Sequence, residues 1–443
     1  MPWNAIITAM PYFLARLAGS PFSSSFASWL SVIWTLMSFT SLGFATWTAG
    51  HTIPAIRVVL PLVCNTILVT FLATTPYLAL LPGLFFTLVL VNGAFQAALG
   101  AFLQTSIVAL ASAFGPEAIA SYMTGGALVA VGVSLLKLST AYAALAVLDG
   151  DHPSTRPDTP SVLGLHGGTA AKGATAYFCM AAVFISSGIM GYGYLYPRIP
   201  RDILKHDSPE HDSGVESDEP SEVDYLLGRS RTPVPMSTAS IWIVARKNAS
   251  YNIAVFYVFV VTLALFPAIT TSIVSVNSPT SSSIFNPLIF SALHFLNFNL
   301  ADLVGSALTG IKSISPTSNK SLLLYSLART AFIPLILLCN VQHKPHFNPA
   351  DKFQLELGHK PYFNSDIVYM VILFIFGVTN GHASTLVLMA APSKVLNPRL
   401  ELYESKSAAR IAQFCLVGGL VVGSAASFGL RAIQCRCNPF VDG

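Results

Sequence analysis

FNPLIFSALHFLNFNLADLVGSALTGI, residues 285–311, is apolar almost throughout and holds one acidic residue, Asp302. Of the 20 Asp and Glu residues in the chain, only Asp302 sits deep inside a long apolar stretch. A carboxylate in hydrocarbon costs several kcal/mol, so an intramembrane acid marks a substrate or ion pathway by default. A helix needs about 20 apolar residues to cross a bilayer core. Residues 285–311 therefore read as a span whose acid faces the inside of a helical bundle.

The rest of the chain has the same character. Hydrophobic residues make up 53% and charged residues 10% of it, and the mean hydropathy is +0.62, far from soluble averages. About eleven segments meet the length criterion for a span: 2–19, 27–47, 57–80, 84–112, 117–147, 174–194, 251–274, 285–311, 321–342, 365–391 and 408–432. They are too long and continuous for barrel strands, so the fold class is an all-α polytopic membrane protein. The lipid bilayer is thus its first partner. A net charge of +4 spread over short loops forms no basic stripe and sets nucleic acid aside. Six cysteines without a Cys-x-x-Cys pair imply neither a zinc site nor a disulfide framework. No cofactor or metal is expected.

Residues 198–250 are the one substantial hydrophilic segment. Their Ser, Pro, Asp and Glu content reads as a disordered linker between a six-span unit, 1–197, and a five-span unit, 251–443. A solvated linker is favoured over a phosphorylated one at Ser213, Ser217 and Ser221. Placing the amino terminus and this loop in the cytoplasm collects most span-flanking Lys and Arg residues there. The sequons at Asn248 and Asn319 then face the cytoplasm and stay unglycosylated.

Within the spans, Phe295, Asn299, Asp302 and Ser306 follow helical spacing and share one face. That face offers an aromatic ring to a planar group and hydrogen-bond acceptors to hydroxyl or amino groups. The bland alternative is an internal polar cluster with Asp302 paired to Arg329 or Lys137. Gly93, Ala97 and Ala101, and again Gly419, Gly423 and Ser427, have the fourfold spacing of close helix packing. Gln96 and Gln104 are amides costly in lipid and should face the interior, as helix glue before ligand contacts.

PWNAIITAMPYF (2–13), GAFLQTSIVALASAFGPEAIASYMTGGAL (100–128), NIAVFYVFVVTLALFPAIT (252–270), FLNFNLADLVG (295–305), RTAFIPLILLCN (329–340) and FGVTNGHASTLVLMAAPSKV (376–395) together resemble the equilibrative nucleoside transporter family, especially its fungal branch. The resemblance implies a six-plus-five bundle similar to the major facilitator fold, moving nucleosides, and by extension nucleobases, by alternating access. It implies base contacts from Trp3 and Gln104, a ribose-side face at Asn299 and Asp302, and cavity walls at Gly100, Gly125 and Phe295. Arg329 and Asn340 match signature positions of structural character. Where the family commonly carries an arginine one turn after the aspartate, this chain has Ser306, which leaves Asp302 open to a proton-linked role. The family also has apolar residues ahead of Pro2-Trp3-Asn4, so the start of the first helix is expected to be missing here.

An intramembrane enzyme is disfavoured. The span interiors hold no second aspartate for a dyad, no His-Glu-x-x-His and no Gly-x-Ser-x-Gly. The stronger rival is a same-fold carrier of another small solute, such as a nucleobase or an organic cation. The fungal likeness points to the vacuolar membrane, with the plasma membrane as the other seat.

Overall fold

Proline and small polar caps mark where the helices begin in the computed structural model, which describes residues 2–22, 26–51, 54–150, 161–200, 238–267, 269–277, 282–316, 318–340 and 362–435. The first half holds α1 (Pro2–Thr8), α2 (Met10–Arg16), α3 (Phe26–Trp47), α4 (Pro54–Thr74), α5 (Pro82–Ala113), α6 (Pro116–Gly150) and α7 (Ser161–Leu195). The second holds α8 (Thr238–Lys247), α9 (Ala249–Leu265), α10 (Pro287–Leu308), α11 (Asn319–Ala328), α12 (Phe332–Leu337), α13 (Asp366–Ala390) and α14 (Ser405–Cys435). Pro82 and Pro287 open α5 and α10, where a missing N–H costs nothing. Asn286 and Ser318 cap α10 and α11 through side-chain oxygens that accept from Leu288 N and Ser321 N. Gly115, at φ 102°, makes the turn from α5 to α6 that a side chain would strain.

Among the described residues nine helices are long and apolar enough to cross a membrane, ten if a bent pair counts as one. These ten coincide with all the expected spans but the first. There the helix breaks at Ala9 into two seven-residue pieces, α1 and α2. Pro11 sits in the first turn of α2 and cannot donate back to α1. Neither piece is long enough to cross a membrane by itself, so ten of the eleven expected spans are seen among the described residues.

The bent pair corrects the far end of the linker. Residues 238–247, expected to be disordered, form α8, which meets α9 at 77°. Val244 on α8 is fully buried against Leu400, Ala408 and Ile411, while Trp242 and Ile243 are exposed. At the corner, Asn248 donates to Ala391 O at 2.8 Å and accepts from Asn397 Nδ2. Lys247 bonds both oxygens of Glu404 at 2.7 and 2.9 Å. An amphipathic patch with fixed partners thus outweighs the local polar composition. The acidic part of the linker, with Ser213, Ser217 and Ser221, lies outside the described residues.

Both small-residue stripes are packing surfaces. A Cβ on Gly93 would touch Leu30 and Trp34 of α3, and Cβ atoms on Gly419 and Gly423 would strike the Phe256 and Val260 carbonyls of α9. Gln96 is fully buried and donates to Asn92 Oδ1, which makes it glue within α5. The halves share one apolar core at the end of the bundle where α8 lies. It joins Leu42, Ala101 and Ile119 to Tyr251, Leu386 and Ala412, and Phe39 stacks on Phe414 at 4.9 Å beside it. Toward the other end each half has its own core. The halves meet again along one edge, where Ala141 of α6 packs on Ile289 and Ala292 of α10.

Candidate functional site

The acid-bearing helix α10 lies between α6 of the first half and α13 of its own. Toward α6, Asn299 Nδ2 donates to Ser134 Oγ at 2.6 Å, and Lys137 Nζ lies 3.4 Å from the centre of the Phe295 ring. As positions rise on α10 they fall on α6, so the two helices run antiparallel. Toward α13, Asn380 Nδ2 donates to Asp302 Oδ1 at 2.7 Å, and Thr385 Oγ1 donates to Ser306 Oγ at 3.2 Å.

The stripe expected to act as one face therefore divides along its length. Glycines explain the division. A Cβ on Gly377 would come within 2.7 Å of Phe298 O, and Cβ atoms on Gly305 and Gly381 would land on the carbonyls of Val378 and Asp302. The α10 and α13 backbones are thus in contact from Phe298 to Ser306, which pulls the Ser306 end of the stripe into that interface. Ser306, expected beside the ligand, is only 2% exposed and sealed against α13. Gly305, the neighbour of Ser306, marks the crowding that seals it.

Asp302 keeps a free side. Among the described residues Oδ1 has one protein partner, Asn380, while Oδ2 has none and is not among the buried unpaired atoms. Asn299 Oδ1 is likewise unpaired and not sealed. Two acceptors one helical turn apart thus face accessible space. The direct ion pairs considered for Asp302 do not form. Lys137 sits over the Phe295 ring, where a cation is attracted by the π face. Arg329, 1% exposed, donates to Val258 O, Thr262 Oγ1 and Phe376 O at 2.9, 3.0 and 3.3 Å.

The remaining expected residues lie in the first half. Trp3 is partly buried, its ring tilted against Trp34 with centroids 4.9 Å apart. The next residues, Asn4 and Ala5, share a crevice with Val133 and Leu136 of α6, so the Trp3 turn is level with Ser134, Asn299 and Phe295. Gln104 is elsewhere. Its amide lies near the Tyr122 hydroxyl, and Tyr122 is about 18 Å along α6 from Ser134 at 1.5 Å per residue. Carrying the α6–α10 register onward puts Asp302 between those levels, about 12 Å from Tyr122. A Cβ on Gly100 or Gly125 would meet nothing within 4 Å, so both glycines border open space.

Asn380, Thr262 and Ser134 are the polar contacts that spacing did not single out. Asn380 carried a signal, being an amide inside an apolar span by the same rule that flagged Gln96. Thr262 and Ser134 did not, since a hydroxyl in a helix usually satisfies itself on the preceding turn. Thr262 does so on Val258 O at 2.7 Å and also reaches Asn380 Oδ1 at 2.7 Å.

A profile described as nucleoside transporter matches residues 87–432. The chain belongs to the nucleoside transporter family. It is 26% identical over 478 residues to equilibrative nucleoside transporter 2 of Rattus norvegicus, covering 98% of this chain and 94% of that one. It is 30% identical over 258 residues to equilibrative nucleoside transporter 3 of the same organism, covering 57% and 50%. A fungal relative, nucleoside transporter FUN26 of Saccharomyces cerevisiae, is 29% identical over 179 residues, covering 40% and 31%. Among solved structures, the major facilitator superfamily transporter FucP in its outward conformation aligns with a TM-score of 0.51 at 13% identity, covering 98% of this chain and 97% of that one. That likeness shows the fold. The protein is a multi-pass membrane transporter of nucleosides, a carrier and not an enzyme.

Proposed function

We propose that the nucleoside binds between the two halves, its sugar hydroxyls donating to Asp302 Oδ2 and Asn299 Oδ1. The base lies toward Trp3, with Phe295 closing the wall above and Gly100 bordering open space, while Gln104, near Tyr122 farther along α6, makes no contact in this pose. The observation that carries this is the pair of unpaired, unsealed acceptors on α10. A bound ligand withdraws these acceptors from water and must then supply donors, and the vicinal hydroxyls of ribose supply two. Ser306 instead pins α10 to α13.

Transport then proceeds by rocking of the halves. The shared core around Leu42 and Leu386, with Phe39 on Phe414, forms the closed side. Access is from the side opposite α8. The amino terminus and the loop before α8 are placed in the cytoplasm, where Arg and Lys collect, so the open side faces outward or into the lumen. The vacuolar or plasma membrane is the proposed seat, and a fluorescent tag in the host distinguishes them.

A substrate panel in proteoliposomes tests the reading. Labelled uridine and adenosine should enter and be displaced by ribonucleosides, with free bases and an organic cation competing about tenfold less well, as expected where a polar site loses its matching hydroxyls. Equal competition by bases would remove the sugar contact and favour a nucleobase carrier. Repeating the panel at two external pH values reads out proton coupling: faster uptake at acid pH that is lost in Asp302→Asn adds it, and equal rates exclude it.

A further inference from the structure

Asp302, partly buried, and Arg329, fully buried, are opposite charges without direct contact. Neither of the two ion pairs among the described residues involves them. Between them lie two neutral groups whose donors point the same way. Arg329 Nη1 donates to Thr262 Oγ1 at 3.0 Å. Thr262 Oγ1 donates to Asn380 Oδ1 at 2.7 Å, and Asn380 Nδ2 donates to Asp302 Oδ1 at 2.7 Å. The four residues come from four segments: α9, α10, α13 and the turn after α11.

We infer that Asn380 is a positioning residue of the nucleoside site, orienting the Asp302 carboxylate at the end of a hydrogen-bond chain that starts on the Arg329 guanidinium. The cation polarises the Thr262 hydroxyl, which donates a hydrogen bond to Asn380 Oδ1. Hydrogen bonds in series strengthen one another where water is excluded. The amide is thereby fixed with Nδ2 toward Asp302, because turning it over would set Oδ1 against a carboxylate. The backbone beneath is already held. Gly381 lies against Asp302 O, and a Cβ on Gly377 would come within 3.4 Å of Asp302 N. The remaining freedom of Asp302 is its side-chain torsion, and Asn380 removes it by holding Oδ1. Oδ2 is left at one defined place, charged and unpaired. A first contact held by a second is what keeps a site within the fraction of an ångström that recognition needs.

Thr262 has a second possible acceptor, Val258 O, at 2.7 Å. Val258 O also accepts from Arg329 Nη1 at 2.9 Å, whereas Asn380 Oδ1 has no other donor among the described residues, which favours Asn380 for the single Thr262 proton. The chain thus needs the Thr262 hydroxyl itself and not merely its volume, which makes an isosteric variant the clean probe.

This inference rests on the sugar contact proposed above, so the experiment separates the two. KM and kcat for uridine and for 2′,3′-dideoxyuridine are measured in proteoliposomes for Thr262→Val, Thr262→Ser, Asn380→Ala and Asp302→Asn, and for Thr262→Val in the Asp302→Asn background. Thr262→Val is expected to raise KM for uridine about fivefold, the loss of part of a hydrogen bond to a charged group, while dideoxyuridine shifts less than about twofold. Thr262→Ser restores the wild-type ratio. Asn380→Ala exceeds Thr262→Val in the same direction, and Thr262→Val carries the test if Asn380→Ala does not fold. In the Asp302→Asn background, Thr262→Val adds less than about twofold, as for residues acting through one another. Equal losses for both ligands, failure of Thr262→Ser to rescue, or full additivity with Asp302→Asn would overturn the positioning role while leaving the sugar contact standing. If Asp302→Asn itself treats both ligands alike, the sugar contact falls and the positioning role with it.

Discussion

Asp302→Asn is expected to lower kcat/KM for uridine by about 10- to 100-fold, the range for losing a hydrogen bond to a charged acceptor. The variant is nearly isosteric and should fold, because Asn380 Nδ2 can still donate to the remaining carbonyl oxygen. What changes is the free side. An amide that offers its oxygen to Asn380 must point its NH2 where Oδ2 was, so a ligand hydroxyl meets a donor in place of an anionic acceptor. Turning the amide over restores an acceptor to the ligand but sets NH2 against NH2 at Asn380. Either orientation leaves a mismatch, and only loss of charge with one donor conflict has that property. Initial uptake rates over a concentration series measure the effect. Retention of wild-type kcat/KM would show that Oδ2 is not a ligand contact.

Gly381→Val should be the most damaging single change to the α10–α13 pair. Even a Cβ there would land on Asp302 O, with Ser306 N at 2.9 Å, and these are backbone atoms that cannot rotate away. Overpacking of a tight interface costs about 1–3 kcal/mol and more where the backbone must shift. The same shift moves Asp302 away from Asn380, so transport is lost together with stability. Thermal melting of the detergent-solubilised protein, followed by size-exclusion chromatography, should show a marked fall in midpoint. Gly100→Ala, which adds a Cβ to open space, should melt like the wild type. Equal midpoints for Gly381→Val and wild type would contradict the close approach of α10 and α13.

Much of this was legible in the sequence. Periodicity and length place ten spans where the structure has them, since the bilayer fixes helix length so narrowly. The break inside the first expected span escaped because Pro11 is compatible with a helix start and gives no sign of a break after Thr8. The helix at 238–247 escaped because its stability comes from packing Val244 on α14 and from Lys247 on Glu404, contacts formed by residues more than 150 positions away. At the site, helical spacing grouped Phe295, Asn299, Asp302 and Ser306 but could not say which neighbour each would meet. The crossing of α10 from α6 toward α13 decides that, and it depends on glycines of both helices. Asp302 was conspicuous as a lone acid. Its orientation was not, because the chain through Asn380 and Thr262 to Arg329 joins helices far apart in sequence.

The most direct measurement is an experimental density map of the transporter in lipid nanodiscs with bound uridine. The expected result is a ligand between the halves, with ribose hydroxyls within hydrogen-bond distance of Asp302 Oδ2 and Asn299 Oδ1 and the pyrimidine directed toward Trp3. Uridine lodged instead in the crevice between α1, α6 and α7, beside Asn4, Val133 and Tyr177, with Asp302 unoccupied, would contradict the account.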